Sequence, residues 1–248
     1  MKKFHLFFLL LTTTLFLSCM FGYGLFRQHT VVSDHWEPFS RKMNERDLSV
    51  TEMILQRFAA TMEAARVTYF LYAGSLLGSY RHHGIVPWDD DVDVLVPFGQ
   101  QKALHLALSG QEPFFFLDTS MRIRWKFYSS HCESIKTKSW KWPFLDISFY
   151  KENDTHIWDS DPDSTKSTLY NKSIVFPLRK GIFMNLSLPV PRDPYAVLSV
   201  DMDVKMCESN SYDHRREESI PDIYRKSVPC SELQNIFQFV KHETNETL

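Results

Sequence analysis

Residues 72–94 read YAGSLLGSYRHHGIVPWDDDVDV, and the fold is decided by this stretch and its flanks. A β-branched and aromatic run at residues 67–72 predicts a strand leading into it. A turn follows at Gly74-Ser75, and residues 75–80 predict a short helix. Residues 91–96 alternate acidic with aliphatic side chains, a pattern typical of a strand with two different faces.

The aspartates of this stretch predict a metal site. Asp91 and Asp93 share one strand face, about 6.6 Å apart, so that both carboxylates can reach one hard cation. Asp89 lies one step earlier in the same register and is a third candidate ligand, whereas Asp90 has the opposite parity and is expected to point away. The alternative is a solvated acidic turn. We favour the metal site, because four aspartates in five positions repel one another unless a cation neutralises them, and because apolar residues flank them.

Other residues predict phosphate binding beside this metal. Gly74 and Ser75 follow a strand and open a helix, where backbone amides and a hydroxyl can bind phosphate. Arg81 could clamp phosphate oxygens. Asp146 lies in an otherwise apolar strand, where an unpaired carboxylate is costly, and is a candidate metal ligand or base; the alternative is a structural aspartate. Lys126, Arg179 and Lys180 are weaker phosphate candidates.

The remaining segments predict a domain that mixes helices and strands. A capping box at Ser49–Glu52 predicts a helix start. Residues 153–167 predict a loop, and little is assigned beyond Asp201. Helices are expected at residues 102–108 and 193–200, and strands at residues 114–117, 122–128, 144–150, 174–176 and 182–188.

The N-terminus predicts a membrane anchor. Residues 6–26 carry no charge and are long enough to span a bilayer. A cleaved signal peptide is the alternative, although its apolar core is usually shorter. Lys2 and Lys3 favour a cytoplasmic N-terminus. The predicted layout is a cytoplasmic tail at 1–5, a transmembrane signal anchor at 6–26, a stem at 27–47 and a luminal domain at 48–248.

Composition and modification motifs agree with this layout. The 248 residues are 44% hydrophobic and 23% charged, as in globular proteins, and the net charge of −2 argues against a nucleic-acid partner. Asn-x-Ser/Thr sequons give weak support for a lumen and occur at Asn153, Asn171, Asn185 and Asn245. Cys132, Cys207 and Cys230 follow the anchor. A Cys207–Cys230 disulfide is the first pairing to test, and three buried thiols are the alternative.

Residues 72–94 resemble the signature of the LicD/fukutin family. The shared pattern is a Gly-Ser-Leu-Leu-Gly turn at 74–78, Arg81, Gly84 and a Pro-Trp-Asp-x-Asp-x-Asp run at 87–93. A looser likeness continues through residues 144–147 and 176–191. The resemblance implies an α/β (α+β) fold, with a nucleotidyltransferase-like mixed sheet flanked by helices and one preceding transmembrane helix.

The resemblance also implies an activity. A phospho-alcohol would pass from a CDP-activated donor to a glycan hydroxyl, with release of CMP. Asp89, Asp91 and Asp93 would hold Mg²⁺ or Mn²⁺. Asp146 would complete the metal site or activate the acceptor, so Asp91, Asp93 and Asp146 are the expected catalytic residues. The resemblance further implies a single-pass type II protein of the Golgi membrane.

Two other functions remain open. In the C-terminal third of the chain the resemblance to the family is weaker. This favours a non-catalytic Golgi protein that kept the fold to bind a glycan or a glycosylation enzyme. A nucleotidyltransferase would use the same site, but it would release pyrophosphate instead of CMP.

Overall fold

The computed structural model describes residues 37–162 and 169–242. The predicted anchor and residues 27–36 of the predicted stem lie outside these ranges. Among the described residues, no helix has both the length and the apolar character that crossing a membrane requires.

The described chain contains both helices and strands, and the strands differ widely in length. In order, these are α1 (Glu45–Ala65), β1 (Phe70–Leu71), α2 (Ala73–His82), β2 (Val92–Pro97), α3 (Gln101–Ser109), β3 (Phe115–Asp118), β4 (Arg124–Ser134), β5 (Lys141–Glu152), β6 (His156–Asp159), β7 (Leu169–Asn171), α4 (Lys172–Val175), β8 (Arg179–Phe183), β9 (Leu186–Val190), α5 (Pro194–Leu198), β10 (Met206–Glu208), β11 (Tyr212–Asp213), β12 (Glu218–Ser219) and β13 (Ser227–Pro229).

The central sheet is mixed and has seven strands. Five of them run in the order β1-β2-β5-β4-β3, and β6 and β7 extend the sheet from β5. β2 and β5 are parallel, and the other pairs are antiparallel. This mixed sheet with flanking helices confirms the predicted α/β class.

The two faces of the sheet differ in chemistry. On one face, Val92, Leu145 and Phe127 lie side by side by strand register, and the Phe127 ring is 6.1 Å from that of Phe58 on α1. This face is fully buried and forms the main core with α1. The next register position carries polar residues on the opposite face, which is where the acidic residues meet.

The first helix begins earlier than predicted. Its N-cap is Asn44, whose side chain accepts a hydrogen bond from the Asp47 amide while the Asp47 carboxylate accepts one from the Asn44 amide. Ser49 therefore lies inside α1, and the predicted capping box is wrong. Met43 and Leu48 flank the true cap and belong to the core, as in a hydrophobic staple.

Three later predictions were also wrong in detail. Residues 174–176 belong largely to the short helix α4, which Asn171 caps by accepting from the Ser173 amide. Residues 182–188 form the turn and inner halves of the β8–β9 hairpin instead of one continuous strand. The predicted loop at 153–167 contains β6. Other predicted helices and strands occur with shifted ends.

Residues 202–242 have a defined structure, although their sequence indicated little. The pairs β10–β13 and β11–β12 form two small ladders, and Cys207 and Cys230 form a disulfide. This confirms the first pairing to be tested. Cys132 is free and buried.

Candidate active site

Three carboxylates meet where β2 and β5 run in parallel. Asp93 pairs in register with Asp146, and Asp91 precedes β2 on the same side. One oxygen from each of Asp91, Asp93 and Asp146 lies within 4.8 Å of the other two. The sequence-predicted catalytic residues are therefore brought together, in a group that suits a hard divalent cation.

Only one of the two carboxylate oxygens of Asp146 accepts a hydrogen bond from a described residue. Lys126, its register partner on β4, donates from Nζ to Asp146 Oδ2 at 2.6 Å, and the two side chains are only 6% and 5% exposed. Asp146 Oδ1 is buried and has no hydrogen-bond partner among the described residues. A buried, unpartnered carboxylate oxygen beside two further carboxylates fits a cation ligand.

Burial makes the acids of this site hard to ionise together. Desolvation is the main cause that raises the pKa of Asp93 to about 7, and the charges of Asp146 and Asp89 raise it further. Desolvation also raises the pKa of Asp91 well above its ordinary value, with the Asp93 charge as the next cause. The pKa of Asp89 rises to about 6, chiefly by burial. A bound cation would reverse this by stabilising the ionised forms.

The N-terminal end of α2 packs closely against the acidic residues. Ser75 Oγ accepts a hydrogen bond from the Asp93 amide at 2.7 Å, so the Ser75 hydroxyl proton remains free to donate. A Cβ atom on Gly74 would lie 2.7 Å from Asp89 Oδ2 and 3.8 Å from Asp93 Oδ2. Glycine at position 74 therefore lets the helix start approach these carboxylates closely, where the phosphate site was predicted.

The C-terminal segment crosses the acidic run, and we call residues 206–230 the strap. Asn210 Nδ2 donates to Asp89 Oδ1 at 3.1 Å. His214 bridges two acids, with Nδ1 2.9 Å from Asp90 Oδ1 and Nε2 3.3 Å from Asp91 Oδ2. Although its burial opposes protonation, the neighbouring carboxylates, above all Asp91, raise the pKa of His214 well above its ordinary value.

Asp89 and Asp90 have different surroundings from the other three acids. Asp90 Oδ2 accepts from the Arg215 amide at 3.0 Å, so its carboxylate turns to the strap, away from Asp93 and Asp146. Asp89, Asp90 and His214 form a second group with ligand atoms within 4.8 Å of one another. Asp89 thus belongs to the second group, and its role as a third ligand beside Asp91 and Asp93 stays a prediction.

Arg81 contacts the base of the strap. Its guanidinium is buried, and NH2 donates to the Met206 carbonyl at 2.8 Å and to the Asp203 carbonyl at 3.5 Å. NH1 lies 3.4 Å from Cys207 Sγ. Desolvation lowers the pKa of Arg81 to about 10. Arg81 thus anchors the strap to α2, and its role as a phosphate clamp stays a prediction.

A cavity of about 220 Å³ lies between α2 and the strap. Gly74 and Asp89 line the cavity on the side of the acids, and Met202 and Asn210 also line it. Trp88 also lines it, with Nε1 donating to the Glu208 carbonyl at 2.8 Å. The cavity has the position expected of a substrate subsite next to the acidic residues.

Sequence reasoning missed the residues that hold the acids in place. Lys126 was only a weak phosphate candidate, because the β4–β5 register that places it opposite Asp146 is not visible in the local sequence. Asn210 and His214 lie in a segment without periodicity, more than 100 residues after the acids, so no local pattern could have identified them.

Comparisons with known proteins agree with this geometry. Residues 66–193, about half of the chain, match the family model for LicD/FKTN/FKRP, nucleotidyltransferase domain. Over 41 residues the chain is 49% identical to lipopolysaccharide cholinephosphotransferase LicD of Haemophilus influenzae, which covers 16% of each protein. Over 33 residues it is 61% identical to ribitol 5-phosphate transferase FKRP of Homo sapiens, covering 13% of this chain and 7% of that protein.

Among solved structures, the lincosamide adenylyltransferase LnuA aligns with a TM-score of 0.39 at 16% identity, covering 57% of this chain and 80% of that one. ANT(2")-Ia, in complex with adenylyl-2"-tobramycin, aligns with a TM-score of 0.38 at 9% identity, covering 56% and 67%.

Proposed function

The chain belongs to the LicD/FKTN/FKRP nucleotidyltransferase-domain family, and from that premise we propose that it transfers a phospho-alcohol from a CDP-activated donor to a glycan hydroxyl. The names of two relatives, a cholinephosphotransferase and a ribitol 5-phosphate transferase, describe this class of transfer. The segments that match these relatives are only 41 and 33 residues long. The identities of the donor and the acceptor are therefore part of what we propose.

One observation carries the proposal. Asp146 Oδ1 is buried without a partner in the described chain, and it belongs to the group in which Asp91 and Asp93 each offer an oxygen. Oxygen-only coordination by carboxylates suits Mg²⁺ or Mn²⁺. When bound, such a cation supplies the positive charge that a diphosphate donor needs as charge develops in transfer.

The surrounding residues preorganise the three carboxylates. Lys126 fixes Asp146, Ser75 fixes the backbone of Asp93, and His214 holds Asp91 Oδ2. A divalent cation and Lys126 would offset the negative charge of the three carboxylates. We propose that the donor diphosphate then enters between the acids and the start of α2, whose N-terminal end favours anions.

The reaction would be a displacement at the phosphorus that bears the alcohol. The glycan hydroxyl oxygen bonds to this phosphorus, and the bond to the bridging oxygen breaks. CMP leaves with the electron pair, and the hydroxyl proton passes to a carboxylate, for which Asp146 is our candidate. Gly74 keeps the approach to Asp89 and Asp93 open.

We also propose the sequence-based location for this activity. The domain would lie in the Golgi lumen as part of a single-pass type II membrane protein, with a glycosylation enzyme as a further partner. The basis is the uncharged segment at residues 6–26.

Donor binding is the first test. The full-length chain in detergent would be followed by thermal denaturation with CDP-choline, CDP-ribitol or CMP, each with Mn²⁺ and with EDTA. A ligand at about 100 times its Kd adds roughly 2.7 kcal/mol of stability, so a clear rise in Tm is expected with a CDP-alcohol and Mn²⁺. The rise should vanish in Asp91→Asn/Asp93→Asn and persist in the surface control Glu232→Gln.

Product analysis separates the competing functions. Release of CMP supports phospho-alcohol transfer, whereas release of pyrophosphate would identify nucleotide transfer. A folded protein that shows no shift with any donor and no product would overturn the proposal in favour of a non-catalytic binding protein.

A further inference from the structure

Three Asn-x-Ser/Thr sequons lie in the described chain, and the structure distinguishes between them. They begin at Asn153, Asn171 and Asn185, and all three asparagines are exposed. An N-linked glycan needs an outward-facing asparagine amide, and exposure alone does not distinguish the three sequons. The hydrogen bonds of the asparagine side chains do distinguish them.

Asn153 closes the turn between β5 and β6 through its side-chain oxygen. Oδ1 accepts from the Thr155 amide at 2.9 Å, from Thr155 Oγ1 at 3.3 Å and from the His156 amide at 2.8 Å. This is an Asx turn that places the sequon hydroxyl on the amide oxygen. Asn153 is exposed, and its Nδ2 makes no hydrogen bond within the described part of the chain.

Asn171 repeats this arrangement at the start of α4. Oδ1 accepts from the Ser173 amide at 2.9 Å and from Ser173 Oγ at 2.8 Å. Its Nδ2 likewise makes no hydrogen bond to any described residue. Asn171 pairs in register with His156, which is bonded to Asn153, so both amide nitrogens project from the same end of the sheet extension.

That end of the sheet is remote from the acidic site. Glu152, the last residue of β5, lies six residues beyond Asp146, which is about 20 Å along a strand. Bulky groups on Asn153 and Asn171 would therefore leave the approach to Asp91, Asp93 and Asp146 open.

The side chain of Asn185 makes a different hydrogen bond from those of Asn153 and Asn171. Its Nδ2 donates to Glu52 Oε2 at 3.0 Å and ties the β8–β9 turn to α1. A glycan on this nitrogen would have to fit beside Glu52 and the helix. The amide oxygen of Asn185 makes no bond to Ser187 among the described contacts, so the hydroxyl arrangement of the other two sequons is absent here.

We propose that Asn153 and Asn171 are N-glycosylation sites of this protein and that Asn185 is left unmodified. In the transfer, Nδ2 bonds to the anomeric carbon of an oligosaccharide carried on a lipid diphosphate. The bond from that carbon to the diphosphate breaks, the lipid diphosphate leaves with the electron pair, and an Nδ2 proton is lost to the transferase or solvent. The proposal places this domain in the secretory lumen and is independent of the transferase activity.

The test uses the full-length chain with a C-terminal epitope tag, expressed in animal cells. All variants carry Asn245→Gln, because that sequon lies outside the described residues. Removal of N-linked glycans by a glycosidase should increase gel mobility by two glycan-sized steps. Asn153→Gln, Thr155→Ala and Asn171→Gln should each remove one step, and the matched control Asn185→Gln should remove none.

Site occupancy then follows from peptide mass spectrometry after glycosidase treatment in ¹⁸O-labelled water, which marks each formerly glycosylated asparagine. Label at Asn153 and Asn171 with none at Asn185 is the expected result. Glycosidase resistance of the parent, unlabelled Asn153 or Asn171, or labelled Asn185 would overturn the assignment.

Discussion

The Lys126 ammonium lies 2.6 Å from Asp146 Oδ2, in an ion pair that is nearly closed to solvent. Lys126 Nζ also lies 4.3 Å from the centroid of the Phe144 ring, and the remaining Asp146 oxygen has no hydrogen-bond partner within the described ranges. Removing one partner of a buried pair leaves an uncompensated charge, whereas neutralising both partners avoids it.

We therefore expect Lys126→Met to lower the free energy of unfolding by about 3–5 kcal/mol in EDTA. Adding Asp146→Asn to this variant should recover much of the loss, because no buried charge then stays unpaired. Urea denaturation of the parent, both single variants and the double variant forms a double-mutant cycle. Strictly additive effects would show that the two groups do not act as a pair.

Gly74 is expected to control donor binding more than stability. A Cβ atom at position 74 would overlap the Asp89 carboxylate, so Gly74→Ala must displace Asp89. Alanine also favours a helix, which offsets part of the strain in α2. We expect the free energy of unfolding to change by about 1 kcal/mol or less, while the Tm rise with a CDP-alcohol and Mn²⁺ is lost.

The matched control for this glycine is Gly99→Ala, because a Cβ there meets nothing within 4 Å. It should keep the full ligand-dependent rise in Tm. Equal responses of the two variants would disprove the close approach at Gly74.

The acidic residues show how much of the site is predictable from sequence. Strand parity is local, so the shared face of Asp91 and Asp93 follows from the alternation alone. Asp146 is indicated by its apolar neighbours, which make an isolated carboxylate costly. The β2–β5 register that joins it to Asp93 is a tertiary fact, and no local pattern in the sequence supplies it.

The strap shows where prediction stops. Asn210 and His214 of the strap contact the acids, although more than 100 residues of chain separate them from these acids. The disulfide and the contacts of Arg81 with strap carbonyls hold the strap in this position. Short strands without alternation leave no periodic signal. For the same reason the contacts of Arg81 with the strap could not be predicted, since they depend on a segment whose path no local pattern indicates.

His82 gives the protein an acid-sensitive contact with its C-terminal residues. Burial lowers the pKa of His82 to about 4, while its Nδ1 lies 2.8 Å from the Gln238 carbonyl oxygen. The positive charges of Arg81 and Arg41 lower the pKa further. Because the unfolded chain takes up the proton near pH 6.5 and the folded chain only near pH 4, this histidine's contribution to stability falls as the pH drops through that interval.

The expected slope is at most about 1.4 kcal/mol per pH unit between pH 4 and 6.5. Asp89 and Asp93, whose pKa values are raised to about 6 and about 7, contribute the opposite slope in the metal-free protein. The difference between the parent and His82→Gln in EDTA, measured by urea denaturation, isolates the histidine. A difference that is constant with pH would contradict the lowered pKa.

The disulfide is expected to support both stability and ligand binding. Cys207 and Cys230 close a loop with a sequence separation of 23, which in the chain-entropy model contributes about 3 kcal/mol. The same loop carries the Asn210 and His214 contacts to Asp89, Asp90 and Asp91. Cys207→Ala/Cys230→Ala should lower the free energy of unfolding by about this amount and also reduce the Tm rise with a CDP-alcohol and Mn²⁺.

A milder variant separates these two effects of the strap. His214→Gln keeps the disulfide and one side-chain donor but cannot bridge two carboxylates, so it should weaken the ligand response while costing less stability than loss of the disulfide. His131→Ala, at an exposed histidine outside the strap, is its control and should behave like the parent. If the disulfide variant is less stable yet keeps the full ligand response, the strap is only a structural clamp and His214 has no part in holding Asp91 for the cation.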